Sequence, residues 1–331
     1  MGTKYILSKG ELHRQDNSLN FKNINGNNYI PIEGIEEIYC LDEVSFNTKV
    51  IDFLSKNNII LHLFNHYEGY SGTFYPREKY LSGKAVIKQV EAFNEKREVI
   101  AKAIVLGIGN NIYEVLYHYY RHEKKELKEF LDWIKEELPK KLDSCCDISE
   151  ILLTEADIWY RFYNSFSIFL REDFVFNKRV KRPPDNPLNA LISFGNTILY
   201  TKTMGQIYQT HLDQRISFLH SSQERRFSLS LDLSEVFKPI IVFKTIFDCV
   251  NNRKLSVEKH FDKNLNYCLL NESGKKIFLE ALESKFNETF KHSTLLRNVS
   301  YLKAIKYDGY KLLKYILEDF EFKPFSLKEK K

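Results

Sequence analysis

A chain of 331 residues, 43% hydrophobic and 28% charged, can bury an ample core and suits two domains better than one, while its net charge of +5 permits a polyanionic partner without demanding it. Its five cysteines, Cys40, Cys145, Cys146, Cys249 and Cys268, are odd in number and form no CxxC pair, which excludes a disulfide framework and a zinc ribbon and suits reduced thiols. MGTKYILSKGELHRQ has no long apolar core, and no stretch approaches ~18 uninterrupted apolar residues, so the expectation is a soluble cytoplasmic protein with no membrane partner.

Residues 1 to about 66 read as short strands, KYILS, ELHRQ, SLNF and NYIPI, punctuated by turn signals at Lys9-Gly10, Asp16-Asn17 and Asn25-Gly26. Ser45 to Asn57 places Phe46, Val50, Phe53 and Leu54 at helical spacing, and IILHLF after it reads as a buried strand flanked by His62 and His66, two histidines that suit structural roles. HYEGYSGTFYPREKYLSG has the glycines, proline and aromatics of a linker, and the composition turns helical after it. A helix is predicted from Lys84 through Val105 and a break at GIGNN, a GxG without the third glycine or the preceding strand of a dinucleotide site. From Glu123 to Lys141 an amphipathic helix carries Leu127, Phe130, Leu131, Ile134 and Leu138 on one face, and Pro139 with Asp143-Ser144 ends it.

The next helix, Ile148 to Ile168, has an apolar stripe of Ile148, Ile151, Leu152, Ile158, Trp159, Phe162 and Phe166, with Glu155 in a slot where a leucine belongs. Burying a carboxylate costs several kcal/mol unless a cation, a partner or a proton compensates it. Asp157 lies off the stripe and reads as solvated. REDFVFNKRVKRPPDNP is the densest basic loop, and Lys178, Arg179, Lys181 and Arg182 are candidate phosphate contacts. Asp185 or Asn186 then caps a helix with Pro187 at its first position, whose Asn189, Ala190, Ser193 and Gly195 allow close packing in a central, buried place.

HSSQERRFSLSLDLSEVFKP, His220 to Pro239, crowds one histidine, two arginines and acids at the start of an apolar run. Asp232 and Glu235, at i and i+3, share a face of that helix, which continues beyond a kink at Pro239 to Phe247. Glu155, His220 and this pair of carboxylates make a site for a hard or borderline divalent cation, while Arg225 and Arg226 can grip a phosphate, or Arg226 can pair with Glu155 or Asp232. Helices are predicted at Gly274 to Phe290 and Tyr301 to Phe320, and the tail KPFSLKEKK reads as disordered. There is no repeat, nucleophile elbow or P-loop.

Six segments in order, TEADIWYRFYNSF, NALISFGNTILY, HLDQRISFLH, RRFSLSLDLSEVFKP, VSYLKAIKYDGYKLLKYI and EFKPF, resemble the motifs of the CRISPR-associated spacer-acquisition integrase family, Cas-one, and its type I-B-like subgroup. Ala156 and His211 stand where the family often has Gly, Asp308 where it often has Glu, and Glu235 where some relatives carry Asp; none of these removes a ligand.

The resemblance implies an α+β chain: a β-rich N-terminal domain at 1–70 that serves dimerisation, a linker at 71–83, a helical catalytic domain at 84–322 and a basic tail at 323–331. By motif match, Glu155, His220 and Glu235 would bind Mg²⁺ or Mn²⁺, with Asp232 close by as a further catalytic residue. The implied activity is that of a metal-dependent DNA endonuclease and integrase, in which a 3′ hydroxyl attacks a phosphodiester to insert a short fragment into a CRISPR repeat array in antiviral defence. The implied partners are prespacer duplex DNA, the repeat, a second copy of the chain and a small second adaptation protein, Cas-two. Two other classes fit the same residues, a non-catalytic DNA-binding scaffold and a zinc hydrolase using one histidine and two carboxylates.

Overall fold

The protein is described by a computed structural model over residues 2–65, 69–77, 80–181, 183–221, 227–263, 267–292 and 295–327. Two compact units divide between Lys79 and Tyr80.

The first unit holds two four-stranded sheets. β1 (Gly2–Ile6), β5 (Ile35–Cys40) and β7 (Ile60–Phe64) run parallel in the order β1-β5-β7, and β8 (Tyr70–Phe74) closes that sheet antiparallel to β7. β2 (Gly10–Gln15), β3 (Ser18–Asn23) and β4 (Gly26–Pro31) form an antiparallel meander, with β6 (Val44–Phe46) parallel to β2. The tight hairpins are written in the sequence: Asp16 turns at φ 52° and Gly26 at φ 122°, backbone regions that asparagine, aspartate and glycine tolerate. Period-two alternation puts Leu19 and Phe21 inward, where they meet Ile38, Cys40 and Leu61 of the other sheet. α1 (Thr48–Lys56), capped by Asn47, adds Val50, Phe53 and Leu54 to that core. His62 is fully buried and its Nδ1 lies 2.8 Å from Thr73 Oγ1, a structural role; His66 lies outside the described residues. The stretch read as a linker begins inside β8, because the ladder with β7 satisfies its backbone better than a free connection would.

The second unit is helical. α2 (Gly83–Glu95) and α3 (Arg97–Arg121) are separate helices meeting at Lys96, and α3 runs unbroken through the GIGNN segment where a break was expected. The reason is packing. A Cβ on Gly107 would lie 3.1 Å from Pro324, and one on Gly109 would collide with Leu138, so these glycines allow close approach inside a buried helix. α3 is long and apolar enough to pass for a membrane span, yet most of it is buried within this unit.

A 3₁₀ turn (Lys125–Leu127), α4 (Lys128–Asp132), a π-helical turn (Trp133–Glu137) and α5 (Leu138–Ser144) replace the single helix expected from Glu123 to Lys141. Pro139 does not end the helix: it sits in the first turn of α5, where a missing N–H costs least. α6 (Ile148–Asn164) and α7 (Phe166–Phe169) follow, split at Ser165. α8 (Pro187–Tyr208), capped by Asn186, is buried nearly all round, and Gly195 lets Val242 and Phe278 close on it.

α9 (Ser228–Lys238) continues through a π-helical turn at Pro239–Phe243 into α10 (Lys244–Asn251), which is how the chain absorbs Pro239. β9 (Phe261–Lys263) pairs with β10 (Cys268–Leu270), α11 (Glu272–Asn287) follows, β11 (Thr289–Lys291) pairs with β12 (Asn298–Ser300), and α12 (Tyr301–Glu318) ends the helical series.

The tail expected to be disordered is packed as far as it is described. Phe322 and Phe325 are buried, and Phe325 N–H donates to Asp308 Oδ2 at 2.7 Å. Buried Asn111 donates to the carbonyls of Phe325 at 2.9 Å and Val236 at 3.0 Å and accepts from Leu327 N–H at 3.0 Å. Asn111 thus ties the chain's end to the backbone of α9.

Candidate metal centre

α6 presents Glu155. Asp147 caps the helix by accepting from Glu150 N–H, and Ile151, Thr154, Ile158 and Phe162 form its buried face. Thr154 takes the core slot, while Glu155 sits at the edge of the stripe, partly exposed. Trp159, expected only as a core residue, donates from Nε1 to Glu155 Oε1 at 2.8 Å, one helical turn along. Asp157, off the stripe, pairs with Lys141 at 2.9 Å and with Arg161 at 3.0 Å.

α9 presents the other two acids. Asp232 is fully buried and Glu235 nearly so. The chain at Phe218 to His220 wraps the Asp232 carboxylate: Oδ2 accepts from Phe218 N–H at 2.7 Å and Leu219 N–H at 2.9 Å, and Oδ1 from His220 N–H at 3.0 Å. His220 Nδ1 lies 2.8 Å from the same Oδ1, and because a carboxylate only accepts, that ring nitrogen carries the hydrogen. All four lone-pair positions of Asp232 are then engaged, and the lone pair of His220 is on Nε2. Gln89 of α2, buried among alanines, fixes the approach to this turn by donating to the carbonyls of Asp213 and Ile216, both at 2.9 Å. A polar residue in an apolar helical slot was the signal that could have found it.

The ligand atoms of Glu155, His220 and Glu235 all lie within 4.8 Å of one another. Glu235 Oε1 pairs with Lys238, one turn further along α9, while Glu235 Oε2 is buried with no hydrogen-bond partner among the described residues. A buried carboxylate oxygen without a donor is costly, and a cation beside it removes that cost, so these residues fit a divalent ion. Lys238 was missed by sequence reasoning, although its i+3 spacing from Glu235 was legible; its ammonium also lies 5.7 Å from the Trp159 ring centroid.

The electrostatics agree. Burial, and then the neighbouring Glu235, push the Glu155 carboxyl above its ordinary range, opposed by His220, Lys238 and the Trp159 hydrogen bond. Burial alone would lower the His220 imidazole, but Asp232, Glu235 and Glu155 outweigh it and the net shift is upward. Among the described residues the site holds three acids, Glu155, Asp232 and Glu235, against the imidazole of His220 and the ammonium of Lys238.

The basic loop divides. Lys178 and Lys181 are exposed. Arg179 is turned into the fold, donating to Val180 O at 2.5 Å, Asn189 Oδ1 at 3.0 Å and Ser193 Oγ at 2.9 Å, and it also hydrogen-bonds Tyr163. Arg182, Arg225 and Arg226 lie outside the described residues; the cation paired with an acid of this cluster among the described residues is Lys238.

The profile of the family described as "CRISPR associated protein Cas1" matches residues 4–284. The chain belongs to the Cas1 family. It is 43% identical over 324 residues to a CRISPR-associated endonuclease Cas1 of Thermodesulfovibrio yellowstonii, covering 97% of each chain. The structure of a CAS1 protein from Thermotoga maritima, 36% identical, superposes with a TM-score of 0.84 over 97% of this chain and 99% of that one. A casposase bound to its integration product shares the Cas1 fold at a TM-score of 0.86 and 19% identity, covering 100% of this chain and 95% of that one.

Proposed function

We propose that this Cas1-family chain is a divalent-metal-dependent DNA endonuclease and integrase that inserts short DNA fragments into a CRISPR repeat array, with Glu155, His220 and Glu235 as its metal ligands. The observation that carries the assignment is the convergence of these three side chains from separate segments on one small space, with a buried, unpartnered carboxylate oxygen facing the need for a cation. Mg²⁺ or Mn²⁺ bound there supplies Lewis-acid polarisation of a phosphodiester and charge stabilisation as it reacts. The imidazole in the set favours Mn²⁺ over Mg²⁺.

The reaction is a transesterification. The 3′ hydroxyl of the incoming strand gives up its proton as its oxygen forms a new P–O bond, the P–O3′ bond of the repeat strand breaks, and the departing 3′ oxygen takes up a proton; one phosphodiester replaces another, so no nucleotide cofactor is needed. His220 acts through Nε2, with Asp232 holding the imidazole by Nδ1–H and orienting it. Asp232 is a positioning residue in this reading, since its own oxygens are engaged. Lys178 and Lys181 contact DNA phosphates from the basic loop, whose conformation Arg179 maintains from inside. Prespacer duplex and CRISPR repeat DNA are the substrates, and a homodimer built through the β-rich unit and joined to a small second adaptation protein is the working form in a cytoplasmic setting.

The test is strand transfer of a short duplex into supercoiled repeat DNA with metal varied. Glu155→Ala and His220→Ala are each expected to abolish metal-dependent cleavage and strand transfer while DNA affinity stays within severalfold. Turnover retained by either variant with Mn²⁺ in excess removes that residue from the site.

A further inference from the structure

Trp159 touches both acidic ligands, one directly and one through a lysine. Its indole N–H engages Glu155 Oε1 at 2.8 Å. The face of the same ring carries the Lys238 ammonium, 5.7 Å from the centroid, and that ammonium is paired with Glu235 Oε1. The ring itself is held by Phe243 at 5.6 Å, Phe162 at 5.8 Å and Tyr163 at 6.0 Å, so it is a fixed platform. The result is symmetrical. Each carboxylate has one oxygen already engaged, by an indole N–H or by an ammonium, and Glu235 keeps a buried Oε2 with no partner.

We infer that Trp159 is a positioning residue that fills one lone pair of Glu155 Oε1, fixes the carboxylate's orientation so that single-oxygen binding is favoured over chelation, and so tunes which divalent cation the site accepts. The inference rests on the metal site proposed above. Ca²⁺ gathers six to eight oxygens and commonly takes carboxylates by both, whereas Mg²⁺ and Mn²⁺ take six ligands in near-octahedral order and are served by single oxygens. A carboxylate with one oxygen engaged by an indole is poorly suited to chelating Ca²⁺ and well suited to the smaller ions. Trp159 was legible in the sequence only as part of an apolar stripe, since its polar function depends on the Glu155 rotamer and on a lysine from another helix.

The experiment uses Mn²⁺ binding followed by the loss of the free-ion paramagnetic resonance signal, with Ca²⁺ as competitor and no DNA present. Trp159→Phe keeps the ring and removes the N–H. It is expected to weaken Mn²⁺ binding by about tenfold or more, as loss of an outer partner of a metal ligand does, and to shift the Ca²⁺-to-Mn²⁺ affinity ratio toward Ca²⁺. Mn²⁺ affinity within twofold of wild type with an unchanged ratio overturns the inference. Because the chain has two tryptophans, Trp133→Phe leaves Trp159 as the sole indole emitter in a protein with its ligand frame intact. Emission quenched by Mn²⁺ in that variant is expected; emission that does not respond while Mn²⁺ binds overturns the inference even if Trp159→Phe fails to fold. Glu155→Ala and His220→Ala separate the two levels: Mn²⁺ binding lost in both but unaltered in Trp159→Phe leaves the site standing and removes Trp159, whereas binding retained in both sinks the site and the inference together.

Discussion

Asp232 and Glu235 stand three residues apart on one helix, both buried, and their surroundings could hardly differ more. Asp232 receives three backbone N–H groups and an imidazole, so its charge is satisfied by the fold itself. Glu235 has one lysine on one oxygen and, among the described residues, no partner on the other. The lesson is that burial alone does not mark an acid as a candidate ligand; under the proposed function, the candidate is the acid that keeps an oxygen without a donor among the described residues. Glu155 and Asp157 repeat the contrast on α6, where Asp157 is paired by Lys141 and Arg161 while Glu155 is pushed toward its neutral form by burial and by Glu235.

The contrast breaks most visibly at Asp232. Asp232→Ala strands three N–H groups, two of them fully buried, and frees the imidazole, so it is expected to cost about 3–5 kcal/mol with or without metal, read as a fall in denaturant midpoint, and to abolish turnover. A deficit that widens when Mn²⁺ is added would mean that Asp232 is a ligand after all, since only wild type would then gain from the ion.

Glu155→Gln should behave oppositely. In chelator it is expected to melt higher than wild type at neutral pH, because the amide removes a carboxylate whose ionisation the fold opposes. The sign follows from the upward shift. Between the ordinary carboxyl value of 4.5 and the elevated folded value, the native state holds a proton that the unfolded chain has lost, so stability falls as pH rises through that window and the penalty is complete above it. The advantage of the variant should therefore vanish below the ordinary value. Saturating Mn²⁺ should reverse the order, since an ion that binds only the native wild type adds about 2.7 kcal/mol at a hundredfold excess over Kd. Thermal melts of both proteins across pH, with chelator and with Mn²⁺, decide it; a variant that melts lower without metal ends the ligand assignment.

His220 sharpens the comparison through pH. Its folded pKa is raised, so its protonated form adds stability below 6.5 that is lost as pH rises through the folded value. Mn²⁺ needs the neutral ring, and below the folded value its affinity should drop by about tenfold per pH unit, with one proton released on binding. Calorimetric titrations in buffers of differing ionisation enthalpy measure that proton; its absence would exclude His220 from the ligand set.

The smallest effect belongs to the basic loop. Lys178→Ala with Lys181→Ala should make the slope of log affinity against log salt shallower by about 2, one phosphate contact each. Arg179→Ala, by contrast, should lower the melting temperature, since it strips Asn189 and Ser193 of their donor. An unchanged salt slope in the lysine pair returns the loop to a solvated connection.

Much of this architecture was legible in the residues. Period-two alternation and turn residues marked the meander of β2 to β4, helical spacing marked α6, α9 and α12, and the ordered motifs pointed to Glu155, His220 and Glu235. What failed had one cause in common: local signals were read where packing was in control. Gly107 and Gly109 looked like a break because glycine weakens a helix, but close contact with Pro324 and Leu138 outweighs that propensity. Pro139 looked like a stop, and a π-helical turn ahead of it absorbed the missing donor. The KPF segment looked like a free tail because charges surround it, whereas Phe325 and its carbonyl are captured by Asn111 and Asp308 from distant helices.

By itself, then, the sequence determined the order of elements, the two-part division of the chain and the residue types able to bind a hard cation, because these depend on periodicity and on side-chain chemistry carried along the chain. Only the tertiary structure decided which acid has its oxygens filled by backbone donors and which does not, that Arg179 is turned inward, and that Trp159 and Lys238 lie beside Glu155 and Glu235. Those distinctions turn on where each lone pair finds a donor: for Asp232 the donors come from the turn 12 to 14 residues before it, and for Glu155 and Glu235 from one turn along their own helices.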